Sequence, residues 1–143
     1  MSWETALDNR IHDYLPDLKW VENEPMAKHT SFRIGGPARR MAFPKTREQL
    51  VVLMGFLQDA GVKPLLIGNG TNLLVSDEGL DTVVIDMSAE LSRLDLTGDG
   101  EITADAGVSL ATLAVFAWKN GLKGLAFAHG IPGTLAGGIV TNA

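Results

Sequence analysis

Cysteine is absent from the 143 residues, which excludes a disulfide framework, a thiolate nucleophile and any zinc–thiolate centre. The three histidines, His12, His29 and His129, are too scattered to read as a metal-ligand motif, so no metal site is expected. No apolar run approaches bilayer length, and residues 1–10 lack the basic start and apolar stretch of a secretion signal. A cytoplasmic protein without a membrane partner is therefore expected. A net charge of -5 argues against a general affinity for nucleic acid. Acid is also missing locally: no Asp or Glu follows Asp105, and between Pro25 and Arg47 all six formal charges are positive. A solvated basic face is the plain reading of that asymmetry, and an anion site is the sharper one.

What is present is a globular composition, 45% hydrophobic and 20% charged, of a length that suits one ordinary domain. Three amphipathic helices are predicted: residues 2–14 closed by Pro16, residues 46–60 opened by a Thr46/Gln49 capping box, and residues 109–120 stopped by Gly121. Trp118 and the phenylalanines read most simply as core, although one of these rings could border a flavin. Strands are predicted at residues 18–22, 40–43, 65–67, 73–76, 82–87, 101–106 and 125–128. The text GVKPLLIGNG and its counterpart GLKGLAFAHG suggest a pseudo-repeat of helix, glycine, strand and glycine loop. The fold class is α+β. The LTGDGE turn divides the chain into a lead-in (1–24), a first subdomain (25–96) and a second, incomplete one (97–143).

Two glycine loops are the candidate sites. In GNGTN, residues 68–72, glycines let successive N–H groups converge while Asn69, Thr71 and Asn72 add donors. A bare glycine turn is the competing reading, and the loop matches neither a P-loop nor a Rossmann fingerprint. In GIPGTLAGG, residues 130–138, Pro132 and Gly133 fix a turn and Thr134 can cap a short helix. A side chain at Gly70 is expected to enter the space that a pyrophosphate needs. The role of HTSFRIGGPA, residues 29–38, stays open between an anion contact and an ordered connection. Asp77 and Glu78 read as solvated turn residues, and His129 as backbone-bonded or as a contact of its glycine loop.

Taken together, HTSFRIGGPA, GNGTNLLVSD, AGVSL and GLKGLAFAHGIPGTLAGG followed by TNA resemble the N-terminal half of the UDP-N-acetylenolpyruvoylglucosamine reductase (MurB) family, from about residue 25 onward. The resemblance implies an α+β, two-subdomain FAD-binding domain of the vanillyl-alcohol oxidase type, truncated at its C-terminal end. It implies non-covalent FAD, with NADPH as reductant of the flavin and an enolpyruvyl sugar nucleotide as the substrate in peptidoglycan precursor synthesis. FAD contacts are implied at Gly68, Asn69, Gly70, Thr71, Asn72, Leu73, Ala106, Gly107, Ile131, Pro132, Gly133 and Thr134. The family's catalytic arginine, serine and glutamate have no counterpart here, so no catalytic residue is assigned, and the substrate is expected only with a C-terminal part. Ala136 stands where the family usually has glycine, which is expected to crowd the cofactor. Another FAD oxidoreductase of the same fold and a non-catalytic nucleotide-binding remnant are the alternatives. A further expectation is self-association through an unpaired sheet edge at GIVTNA, residues 138–143.

Overall fold

The computed structural model describes all 143 residues. Its first part is a four-stranded mixed sheet of order β1-β2-β4-β3, built from β1 (Lys19–Pro25), β2 (Pro37–Phe43), β3 (Leu65–Ile67) and β4 (Leu80–Asp86). β1 runs antiparallel to β2, whereas β2, β4 and β3 are mutually parallel. Alternation along β4 sends Val83 and Ile85 to one face and Val84 to the other, so the sheet is buried on both sides. In β2 a register shift between Ala38 and Arg40 resets that parity, which is why Ala38 and Met41 share a face.

Helices α1 (Trp3–Tyr14) and α2 (Arg47–Asp59) cover the first face with Leu7, Ile11, Leu53, Phe56 and Leu57. Both begin at hydroxyl caps: Ser2 accepts from the Thr5 amide, and Thr46 from the Gln49 amide. Gln49 reaches back to the amide of Lys45 rather than to Thr46 itself, at 2.8 Å. Asp8 clamps α1 to the sheet by accepting from Arg40 Nε and Nη2 at 2.8 and 2.7 Å and from Trp20 Nε1 at 2.7 Å. The Arg40 hydrogen bonds hold the Asp8 carboxyl below its ordinary range, against a smaller opposing effect of burial. The second face is closed by a 3-10 turn (Met26–Lys28) through Met26 and by Val75, without an α-helix.

The remainder of the chain holds a two-stranded hairpin, β5 (Leu94–Gly98) with β6 (Glu101–Ala104), then α3 (Leu110–Lys119), a 3-10 turn (Ala126–Gly130) and α4 (Leu135–Thr141). A small cluster of Leu110, Ala114 and Ala128, with the partly buried Leu135 of α4 packed against it, joins the last three. The buried face of α3 is formed by Leu110, Leu113, Ala114 and Ala117.

Several expectations change. Residues 73–76 form no ladder, because Val75 packs face-on against the sheet and Ser76 accepts instead from the amides of Gly36 and Gly79. Residues 125–128 fall in the 3-10 turn, with only Ala128 buried, so the second copy of the pseudo-repeat has no strand. The GIVTNA segment lies mostly in α4, capped by Thr134, and offers no strand edge for association. β5 went unforeseen, and the expected boundary after residue 96 cuts through it. Trp118, Phe127 and Phe32 are exposed rather than core, since their elements have no layer packed on that side.

Candidate functional site

The carboxyl ends of β3 and β4 deliver the site. β3 runs straight into residues 68–72, and Met87 at the end of β4 donates its amide to the Ile67 carbonyl at 2.9 Å, which keeps the two strand ends level. Behind the loop, the Ser31 amide donates to the Gly70 carbonyl at 3.0 Å. Gly70 has φ +67, and a Cβ there would strike the His29 carbonyl, so its glycine serves the seam between the two loops and not open space. The expectation that a side chain at Gly70 would enter the ligand's space is thereby corrected.

From the other half, Leu110 donates to the Gly133 carbonyl at 3.0 Å and Leu135 donates to the Val108 carbonyl at 2.7 Å, through their amides. These bonds seat residues 131–134 against the start of α3. Thr134 is buried and accepts from the Gly137 amide at 3.2 Å, as the cap of α4. The two glycine loops then face each other. A Cβ on Gly68 would collide with Thr134 Oγ1, and one on Gly133 would come within 3.3 Å of Thr71 Oγ1.

Between the loops lies a cavity of about 610 Å³, within the range that suits a cofactor. Residues 68–73, Ala106 and residues 131–134 all line it. Gly107 does not: it is buried, donates to the Leu91 carbonyl at 2.9 Å, and lacks room for a Cβ beside the Met87 carbonyl. Its glycine is explained by packing. Leu65, Ile67, Met87 and Val140 add apolar wall, and Ala136 lines the cavity as well. Met87 carried no sequence signal; it enters because β4 ends beside β3.

None of the amide N–H groups of residues 68–73 donates to a backbone carbonyl of the chain, nor do those of Gly133 and Thr134. Such groups, when withdrawn from water, call for an acceptor, and a concave run of them attracts an oxyanion. No ionisable side chain lines the cavity. His129 is exposed and outside the lining, Asp77 and Glu78 are exposed, and no His/Asp/Glu group is arranged to hold a metal. No helix is long and apolar enough to cross a membrane.

The fold and this cavity define a two-loop domain whose cavity has apolar walls and backbone N–H groups without partners in the chain. The chain belongs to the FAD-binding domain family, whose model matches residues 38–143. It is 44% identical over 137 residues to the UDP-N-acetylenolpyruvoylglucosamine reductase of Caldanaerobacter subterraneus, a match covering 96% of this chain and 45% of that protein. With the same reductase of Bacillus subtilis the identity is 42% over 125 residues, 87% of this chain and 41% of the relative. Among solved structures, the MurB reductase of Thermus caldophilus matches with a TM-score of 0.62 and 32% identity over 86% of this chain and 41% of that one. Cholesterol oxidase of Brevibacterium sterolicum, at a TM-score of 0.55, 18% identity and coverage of 73% of this chain and 21% of its own, shares the fold. The expected α+β flavin-binding fold is thus the one found. The chain spans less than half the length of these curated reductases.

Proposed function

We propose that the chain is the FAD-binding portion of an NADPH-dependent UDP-N-acetylenolpyruvoylglucosamine reductase. The observation that carries this reading is the run of unpaired amides at residues 68–73 on one wall of a cavity otherwise mostly apolar. Rigid backbone donors suit a dinucleotide pyrophosphate, and no Asp or Glu side chain lines the cavity to repel it. Leu65, Ile67, Met87 and Ile131 offer wall for a flat ring. Bound flavin would supply hydride transfer from NADPH toward the enolpyruvyl double bond. The chain's own share is to seat the cofactor, orient it between two loops and shield it from water. No ionisable side chain lines the cavity, and no catalytic role is assigned to its residues, so this reading leaves the chemistry at the substrate to a further segment of the enzyme.

Asn69→Asp tests the seat. Asn69 is exposed, lines the cavity and makes no side-chain hydrogen bond within the chain, so the change adds charge at nearly constant shape. FAD affinity should fall by about tenfold or more with an unchanged thermal midpoint. Equal affinity of the two forms would remove residues 68–72 from the cofactor site.

A further inference from the structure

Gly68 and Asn69 also line a second pocket, of about 470 Å³, with no hydrophobic residue in its lining. Its walls include Lys28, Ser31 and Arg33 from the loop before β2, and Asp86 and Ser88 from the end of β4. The sequence motif HTSFRIGGPA therefore contributes to a site that the first cavity does not use. His29, also present, is engaged by Glu24 at 2.9 Å, but neither Lys28 nor Arg33 has a carboxylate within ion-pair distance. Arg33 sits at φ 57, held there by its amide bond to the Thr30 carbonyl at 3.1 Å and by Thr30 Oγ1 donating to the Ile34 carbonyl at 3.2 Å. Those bonds fix the loop beside the pocket.

Asp86 is the one acid here. Its Oδ1 accepts from the Ser88 amide at 2.8 Å and the Ser88 hydroxyl at 2.6 Å, whereas Oδ2 accepts from no group of the chain. A carboxylate so placed at a strand end suits a sugar hydroxyl, and two free cations suit phosphate. The location agrees, since ligands of parallel sheets gather outside the carboxyl ends of the strands, and both β3 and β4 end here.

We propose that this pocket is a nucleotide-phosphate subsite, in which Lys28 and Arg33 neutralise the phosphate and Asp86 receives a hydroxyl of the adjoining sugar or sugar alcohol. The flavin reading bears only on which nucleotide supplies the phosphate. Two sources share this chemistry, the cofactor itself and a second, reducing dinucleotide.

The test is calorimetric titration of wild type and the double variant Lys28→Gln/Arg33→Gln with inorganic pyrophosphate, riboflavin, FAD and, on FAD-saturated protein, NADP+. Both side chains are exposed, so the variant should retain the wild-type thermal midpoint. A loss of FAD affinity of about tenfold or more, with riboflavin unchanged, assigns the cofactor's phosphate to the pocket. Unchanged FAD affinity with a similar loss for NADP+ assigns it to the second nucleotide. If wild type binds pyrophosphate and the variant does not, while neither binds FAD, the subsite stands and the flavin reading falls. Equal affinities of the two proteins for pyrophosphate, FAD and NADP+ overturn the subsite and leave the flavin reading untouched.

Discussion

At Gly70 the backbone is left-handed and the missing side chain would meet the His29 carbonyl, so two independent constraints demand glycine. Gly70→Ala should therefore cost about 2 kcal/mol or more of stability, read as a lowered denaturant midpoint, whether or not a ligand is present. The Asp8–Arg40 clamp makes a different kind of residue-scale claim. Asp8 has a lowered folded pKa, so its contribution is fully present above the unfolded value and disappears as pH falls through the folded one. Asp8→Asn should cost about 1 kcal/mol at neutral pH, a figure that allows for the solvent access of the pair. The gap between the two proteins should begin to close below about pH 4 and vanish once Asp8 is protonated in both states. A gap of constant size down to the acid transition would mean that the Asp8 carboxylate is not what fixes α1.

The helices show which elements local chemistry can announce. Ser2, Thr46, Ser109 and Thr134 each cap a helix through a hydroxyl that accepts from the amide three residues on, a pattern written entirely in nearby sequence. Loss of such a cap should be measurable: Thr134→Ala should destabilise the end of the chain by about 1 kcal/mol, with Thr134→Ser close to wild type. Equal effects of Ala and Ser would assign the role of Thr134 to its methyl group. Strands were harder because pairing is non-local. Residues 73–76 and 139–141 have the apolar and β-branched character of β3 and β4, but Val75 found a sheet face instead of an edge, and the Thr134 cap drew residues 135–141 into α4. The glycine loops were legible because polar donors interleaved with glycine have few uses outside turns and anion contacts. Met87 and the Lys28/Arg33 pocket were not, since Met87 reaches this loop only through the parallel placement of β3 beside β4, and the Lys28/Arg33 segment only through the long-range bond from the Ser31 amide to the Gly70 carbonyl.

Over the whole molecule, order is unevenly distributed. The mixed sheet is packed on both faces by clusters of ten and seven buried residues, whereas the cluster joining α3, the 3-10 turn and α4 has three. The hairpin β5–β6 pairs with no other strand, and Ile139 and Val140 of α4 are 70% and 84% exposed. Local opening follows from few apolar contacts and exposed backbone bonds, so amide exchange should be slowest in β2 and β4 and fastest in β5, β6 and α4. The cavity connects these unequal halves, because residues 68–73 extend from the well-packed sheet and residues 131–134 belong to the thinly packed end. A ligand bound between them and only in the native state stabilises by mass action, by about 2.7 kcal/mol when its concentration is a hundred times its dissociation constant. Most of that gain should be felt where opening is easiest. With FAD added, exchange should slow at residues 68–73, whose amides gain acceptors, and at residues 131–141, which the ligand ties to the sheet, while the centre of β4 changes little. Hydrogen exchange followed by mass spectrometry, with FAD at saturation and then absent, checks this directly. Protection confined to the loop at residues 68–73 would show that the cofactor rests on the sheet end alone and that the second loop does not close over it.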